Sequence, residues 1–480
     1  MSPRRLQRVA IVGGGAAGTI AAAHLLREPR EDARLELELI DRTGSFGPGI
    51  AYGTDDPLHL LNVPAVRMGA VSGHPEHFHG WLLEQNHEVP EEAFMSRGLY
   101  GEYLRDLVAS AEAAAPEVPV RRRAAEVVAV AERASGNGHG NDLVLTLTDG
   151  AELVADKLIL APGPLGGGDP IPIPREVRDS GRYVADPWAP GALDRARRER
   201  QVLIVGTGLT MVDVALSLCT NERGPRVRAV SRHGLVPKRH RRDLTRLRRF
   251  PLPTSSGELA PVMAAILGQV GRVAQQGDDW RDVIDSMRPV TPALWKALKT
   301  EEKRRFLREL QRLWDVHRFR MAPAVADRLE QLEADGRFAF GAGSIVSLEP
   351  HGDGVRVSLR TLGCHELDLV DAGAIVNCSG AGCDLRRDAP PLLRSLLDAG
   401  AARPDELGLG LDVAADGALL DAEGRASERI YVVGALRKGV EWEAIGVTEI
   451  RDHSAAAAAR IVAAAARAAR AITPSLEAAA

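Results

Sequence analysis

The stretch Arg8–Asp41, RVAIVGGGAAGTIAAAHLLREPREDARLELELID, decides how the rest of the chain is read. An apolar run, Val9–Val12, leads into Gly13, Gly15 and Gly18, and an alanine-rich helical segment follows at once. A second apolar segment, Leu35–Ile40, ends on Asp41. Strand, glycine turn, helix and strand, with an acid roughly 20 residues past the glycines, is the dinucleotide-binding fingerprint. Gly13 turns the chain tightly, Gly15 lets backbone N–H groups reach a pyrophosphate, and Gly18 lets the helix lie close on the strand. Ala16 and Ala17 open the helix, whose positive dipole end faces the phosphates. Asp41, followed by Arg42, is placed to accept from a ribose diol.

The chain has 480 residues, which implies two or three domains. Hydrophobic residues make up 45% and charged residues 26%, enough for a sizeable core, and the net charge of −4 argues against a nucleic-acid partner. The four cysteines, Cys219, Cys364, Cys378 and Cys383, are too few for a disulfide scaffold and show no zinc spacing. Cys378 and Cys383 read as small buried thiols rather than a redox pair. The run after Arg4 and Arg5 is broken by the glycine turn, so it is a strand and not a signal peptide. With no span of ~20 apolar residues, the expectation is a cytoplasmic protein.

The fingerprint returns at Gln201–Leu218, QVLIVGTGLTMVDVALSL, with Gly206 and Gly208 in the turn and Leu209 and Thr210 opening the helix. Met211 stands where the third small residue belongs, which widens the helix–strand separation. Val227–Val230 supplies the next strand and ends on Ser231 and Arg232. A hydroxyl and a guanidinium in place of an acid suit a 2′-phosphate, hence NADPH over NADH. Each glycine turn is followed by three β-type segments. Glu126–Ala131, Leu143–Leu147 and Leu153–Leu160 close on Gly163, and Ser344–Leu348, Val355–Leu359 and Leu367–Val376 close on Gly380. One nucleotide-binding architecture is duplicated.

Residues 42–69 form a long Gly- and Pro-rich loop, and His74–Gln85 and Arg97–Ala115 read as helices. A largely helical insertion, about 234–336, includes the basic run Lys238–Arg249 and the stretch Trp295–Arg320. Within it Arg288, Trp295, Trp314, His317, Arg318 and Arg320 suggest a cationic, aromatic-lined pocket for a carboxylate. Ile430–Val433 is a strand, and Val440–Ala466 is a terminal helix.

Two GxG units, each followed by a strand ending in glycine, resemble the two-dinucleotide-binding flavoproteins of glutathione-reductase type. The segments GPGIAYGTDDPLHLLNVPAVRMG, HFHGWL, RGLYGEYL and IVGTGLTMVDVALSL resemble a bacterial FAD/NAD(P)-binding family, similar in layout to N-hydroxylating and Baeyer–Villiger monooxygenases. The resemblance implies an α/β fold with two Rossmann-like domains, the NAD(P)H domain nested in a discontinuous FAD domain. It sets an FAD part over 1–190, an NAD(P)H-binding domain over 191–376, and a second FAD part over 377–480. It further implies that Gly434 approaches the FAD pyrophosphate and that a helix starting near Ile445 and Gly446 faces the flavin. Leu61, Asn62, Val63, Arg67 and Met68 become candidates to wrap it. A dithiol pair in the first FAD segment and an FxGxxxHxxxW sequence between the turns are both missing, against a disulfide reductase and a standard Baeyer–Villiger enzyme. The implied activity is an FAD- and NADPH-dependent monooxygenase using O₂ on a small amine or amino acid, with no metal. The alternatives are a flavin reductase serving a protein or quinone, and a non-catalytic FAD-binding sensor.

Overall fold

Two parallel sheets, each built around one glycine turn, organise the computed structural model. It describes residues 6–30, 33–134, 141–166, 168–221, 223–243, 248–251, 257–361, 364, 366–380 and 384–472. The first sheet has six strands in the order Ala418–Leu420, Ala426–Val432, Lys157–Leu160, Leu6–Val12, Arg34–Asp41 and Val120–Ala124. All its pairings are parallel except that of the outermost Ala418–Leu420. The second sheet runs Tyr183–Val184, Ala374–Asn377, Gln201–Val205, Arg226–Ser231 and Phe338–Ala342, parallel throughout. Both share one winding: the glycine-turn strand lies between the strand that follows its helix and the strand that follows its meander. The meanders are three-stranded antiparallel sheets in both units. The first sheet is completed only by Ala426–Val432, after every strand of the second, so the second unit is nested in the first.

The structure differs from the sequence expectations in five places. Tyr183–Val184 and Asn377 belong to the second sheet, so the second unit reaches beyond residues 191–376 at both ends. The run Leu153–Leu160 is two strands, Glu152–Ala155 in the meander and Lys157–Leu160 in the main sheet. At the break Asp156 accepts the Arg8 N–H at 2.8 Å and donates its own N–H to the Arg8 carbonyl at 2.8 Å, so the chain changes sheet there. Leu367–Val376 breaks likewise at Gly373, whose N–H meets the Gln201 carbonyl at 2.9 Å. Trp295–Arg320 is not one helix. It spans the end of Thr291–Ala297, then Thr300–Glu309 and Gln311–Arg318, with Leu298 extended between the first two. The terminal helix begins at Val447, seven residues later than the pattern suggested.

The helix Ala16–Arg27 is buried along ten of its twelve residues. It is wedged between the first sheet and the helices Arg97–Ala114 and Val447–Ile472. Alanines at 21, 22 and 23 make that possible, because a residue with only a Cβ lets neighbouring helices close in on both sides. The terminal helix lays Val447, Ile450, Ala457, Ala458 and Ile461 on this core, and exposed Arg460 pairs with Asp416 at 2.6 Å.

The returning chain is tied to the terminal helix by a buried ionic group. Glu441 accepts from Arg437 and lies 2.5 Å from His453 Nε2. Burial alone raises the Glu441 carboxyl, but the hydrogen bond and charge of His453 and the Arg437 guanidinium outweigh it and hold the carboxyl down to about 2. A carboxyl depressed on folding stabilises fully above its unfolded pKa of ~4.5 and loses that contribution as pH falls towards its folded value. Urea unfolding at pH 5 and pH 3 is expected to show the native chain losing about 2 kcal/mol more than Glu441→Gln over that interval.

Candidate active site

At the first turn Gly13 holds φ +108°, and a Cβ built there stands 2.0 Å from the Ala161 carbonyl oxygen. A Cβ on Gly18 meets the Gly13 carbonyl oxygen at 1.8 Å. Only glycine fits either place. The Gly14 N–H donates to Asp41 Oδ2 at 2.8 Å, and Asp41 Oδ1 accepts from Thr43 N and Oγ1. Asp41 therefore fixes the turn, with its carboxylate at the strand end where a diol would meet it. The loop beyond folds back over the turn: Gly47 N–H reaches the Gly14 carbonyl at 2.9 Å, and Gly49 Cα lies 3.2 Å from where a Gly15 Cβ would stand. Gly434, at φ +82°, packs a Cβ-length from Ala17, and Gly163, also at φ +82°, faces open space. Arg42 is exposed.

The second turn repeats this geometry. Gly206 holds φ +107°, its Cβ position lies 2.3 Å from the Cys378 carbonyl oxygen, and its N–H reaches Val230 at 2.7 Å. Met211 is fully buried in the second core, in the position where Gly18 admits no side chain. Gly208 and Gly380 both face open space. Burial, helped by nearby Asp213, pushes the Cys378 thiol up, so it stays protonated and unreactive. Cys383 lies outside the described residues.

Both turns fit a dinucleotide. Gly15 and Gly208 cap their helices without a side-chain acceptor, and neither first turn carries an acid. No group among the described residues accepts from the N–H of Ala16, Ala17, Leu209 or Thr210. Unsatisfied donors at a helix N-terminus form an anion cradle.

Ser231 does not point outward as its position suggested. Thr207 Oγ1 donates to the Leu235 carbonyl, so the Ser231 hydroxyl donates to Thr207 Oγ1 at 2.7 Å and accepts from Gly234 N–H at 3.1 Å. That hydroxyl is used inside the turn, and the neighbouring Arg232 is exposed.

Of the expected flavin-wrapping loop, Leu61 and Met68 are core residues, 3% and 4% exposed, so they offer a cofactor no side-chain surface. Val63 packs at the edge of that core, and Asn62 and Arg67 are half-buried. The Asn62 carbonyl accepts from His240 Nε2 at 3.0 Å, which fixes the tautomer of that ring. Burial first, then the Arg320 charge, pushes His240 down to about 3, so it is neutral. At the start of the terminal helix Ile445 is exposed, and the Glu449 carboxylate lies over Gly446.

The insertion was expected to offer six pocket residues, and most are engaged elsewhere. Trp295 is 3% exposed, donates to the Gly439 carbonyl at 2.8 Å and packs on Trp442 with ring centres 4.8 Å apart. Trp314 packs within the insertion, and His317 lies edge-on to Trp280. Arg318 makes a two-pronged pair with Glu443 at 2.9 and 2.7 Å, and buried Arg320 is paired with Asp285. Arg288 remains: it donates to Thr448 Oγ1 at 2.6 Å and lies 3.8 Å from Glu449. Burial pushes the Arg288 guanidinium down; Glu449 opposes this, while Arg318 and Arg67 add to it. Arg67 has no carboxylate partner among the described residues. The basic run is also largely spent, with Arg239, Arg241, Arg242 and Arg248 paired to Asp327, Asp282 and Asp278. Among the described residues no cluster suits a metal, and no helix is long and apolar enough to cross a membrane.

Two substitutions read the second turn. Gly208 has ordinary dihedrals and open space, so Gly208→Val is expected to keep the melting temperature and bound flavin while raising the KM for NADPH about tenfold or more. Arg232→Ala is expected to weaken NADPH far more than NADH in steady-state kinetics, by about 1–3 kcal/mol.

Residues 10–165 match the family model described as FAD-NAD(P)-binding. No curated protein matches the chain. Among solved structures the chain is similar to the ornithine N-hydroxylase of Kutzneria sp. 744, at 16% identity and TM-score 0.65, covering 96% of this chain and 99% of that one. It is similar also to the ornithine hydroxylase of Pseudomonas aeruginosa, at 17% identity and TM-score 0.63 over 97% and 100%. Thioredoxin reductase of Lactococcus lactis follows at 13% identity and TM-score 0.51 over 96% and 99%. Over residues 10–165 the chain matches the FAD-NAD(P)-binding family, and over nearly its whole length it has the fold of the two-dinucleotide-binding flavoproteins.

Proposed function

We propose that the chain is an FAD-dependent, NADPH-using monooxygenase acting on a small polar substrate that carries a carboxylate, such as an amino acid. The carrying observation is Arg67, half-buried and without a carboxylate partner among the described residues, whose positive charge acts on that of Arg288. The acids near Arg288 already have cationic partners: Glu449 in Arg288 itself, Glu443 in Arg318 and Asp285 in Arg320. An unpaired guanidinium such as Arg67 suits a carboxylate ligand. The similar structures include ornithine hydroxylases, a lysine 6-monooxygenase and a cadaverine monooxygenase, in keeping with a small amine or amino acid here.

Bound FAD supplies hydride acceptance from NADPH and reaction with O₂. The chain's part is to bind, orient and keep the site dry. Ala16, Ala17, Leu209 and Thr210 offer N–H groups to the two pyrophosphates, Asp41 takes the ribose of FAD, and Arg232 reads the 2′-phosphate. Gly163, Gly380 and Gly434 keep the cleft clear of side chains. The insertion is tied to the returning chain by Trp295, Trp442 and the Arg318–Glu443 pair.

Stopped-flow absorbance tests this reading on the flavoprotein reduced anaerobically with NADPH and then mixed with oxygen. A transient that persists with NADP⁺ bound, and that amino-acid substrate shortens, is expected. Immediate return to the oxidised spectrum with stoichiometric peroxide, unaltered by any amine or amino acid, would instead favour a reductase. Arg67→Ala is expected to raise the substrate KM about tenfold or more with bound flavin unchanged.

A further inference from the structure

The chain between the two sheets carries a buried polar group that the proposed chemistry does not use. Its parts come from both units. Thr54, Asp56 and His59 lie on the flavin-side loop, Arg97 opens the helix Arg97–Ala114, and Asp213 and Ser217 lie on the helix Leu209–Leu218. His59, Asp213 and Ser217 are 4%, 3% and 6% exposed. Arg97 Nη2 stands 3.0 Å from Asp213 Oδ2, within ion-pair distance though off the line of a straight hydrogen bond. The Arg97 Nε donates to the Leu60 carbonyl at 3.2 Å, and its backbone N–H to the His59 carbonyl at 2.8 Å.

Serine, histidine and aspartate together suggest a hydrolytic triad, but the polarity here is wrong for one. The Ser217 hydroxyl donates to Asp56 Oδ2 at 2.6 Å, so it has no proton to give a base. His59 Nε2 lies 2.9 Å from Ser217 Oγ and 3.1 Å from the Asp213 carbonyl, both acceptors, so it donates. Its Nδ1 takes the Thr54 hydroxyl proton at 2.7 Å. In a triad the histidine accepts from the serine and the carboxylate holds the other ring nitrogen. This network instead closes on itself, and four of its links cross between the units: Arg97–Asp213, Ser217–Asp56, and His59 to Ser217 and to the Asp213 carbonyl. Leu60 and Phe94 carry the same loop's apolar side chains onto the second core.

We propose that this network is a latch in which Asp213 is a positioning residue. It docks the helix that cradles the NADPH pyrophosphate against the loop leading into Asn62, so that the nicotinamide reaches the flavin with no rotation of one unit against the other. The inference rests on the proposed transfer of hydride from NADPH to bound FAD. Burial pushes the Asp213 carboxyl up, and the Arg97 charge pulls it back, as expected of a carboxylate held for a partner in the opposite unit. A buried ionic pair adds little net stability but is strict about geometry. That is the property a docking contact between two cofactor sites needs.

The test uses the FAD-loaded full chain as native protein, Ser217→Ala and Asp213→Asn, with two readouts. Amide hydrogen exchange over residues 54–60 and 209–218 is expected to rise together in both variants. Anaerobic flavin reduction by NADPH is expected to slow about tenfold or more in both, while reduction of the same flavin by dithionite keeps its native rate. Exchange unchanged in both segments would overturn the latch whatever the kinetics. Faster exchange with native NADPH kinetics would overturn the positioning role. If native protein is not reduced by NADPH at all while exchange rises as expected, the docking stands and the proposed reaction is what fails. Arg97→Ala with Asp213→Ala adds a cycle that does not depend on either variant being mild: the double variant is expected to be no slower than the worse single one, as for groups acting as a pair.

Discussion

Twice in this chain the backbone of a glycine runs into the backbone of a strand end with no room for a single carbon between them. Gly13 meets Ala161, and Gly206 meets Cys378, at 2.0 and 2.3 Å from where a Cβ would be. Everything in each half follows from that approach. The turn it allows points the helix N-terminus at the sheet's carboxyl edge, where the next strand ends on Asp41 in one case and Ser231 in the other. The strand it touches leads out through Gly163 or Gly380. Two cofactor-sized cradles with unsatisfied N–H groups are then a consequence of sterics rather than of any particular side chain.

This is why so much was legible in the sequence. A constraint that excludes nineteen residues from a position leaves a mark that needs no partner to be recognised, and the winding of both sheets and the nesting of one in the other follow from repeating it. What failed to show was everything held by long-range partners. Arg318 and Glu443 are 125 positions apart, and Ser217 and Asp56 are 161 apart. Nothing local marks either member, so arginines already neutralised looked like a pocket. Ser231 misled for the opposite reason: its partners are close, but a hydroxyl consumed within its own turn reads the same in a sequence as one facing a phosphate. One signal was available and passed over. Asp213 is the only charge in the apolar helix LTMVDVALSL, and a charge buried there needs a partner brought from elsewhere.

The insertion shows how a highly charged segment becomes structural. Many of its arginines are paired with acids on its own helices and on the returning chain, and its two buried tryptophan contacts join it to the segment around Gly439 and Trp442. Against that background Arg67, half-buried and without a carboxylate partner among the described residues, stands out. Electrostatic balance, rather than the number of cations, separates a binding site from a surface.

The nesting of the sheets sets an order on synthesis at the ribosome. Leu160 pairs with Val432, so the strand Lys157–Leu160 waits for a partner that emerges 272 residues later, whereas the second sheet is complete once Asn377 is out. At translation rates of 5–20 residues per second that wait is roughly 14–54 s. The second unit can therefore finish folding while the first still presents an open strand edge, the kind of surface that pairs with other nascent chains. A chain arranged this way depends on a chaperone, or on its own nested unit standing nearby, to keep that edge unpaired until the last strand arrives.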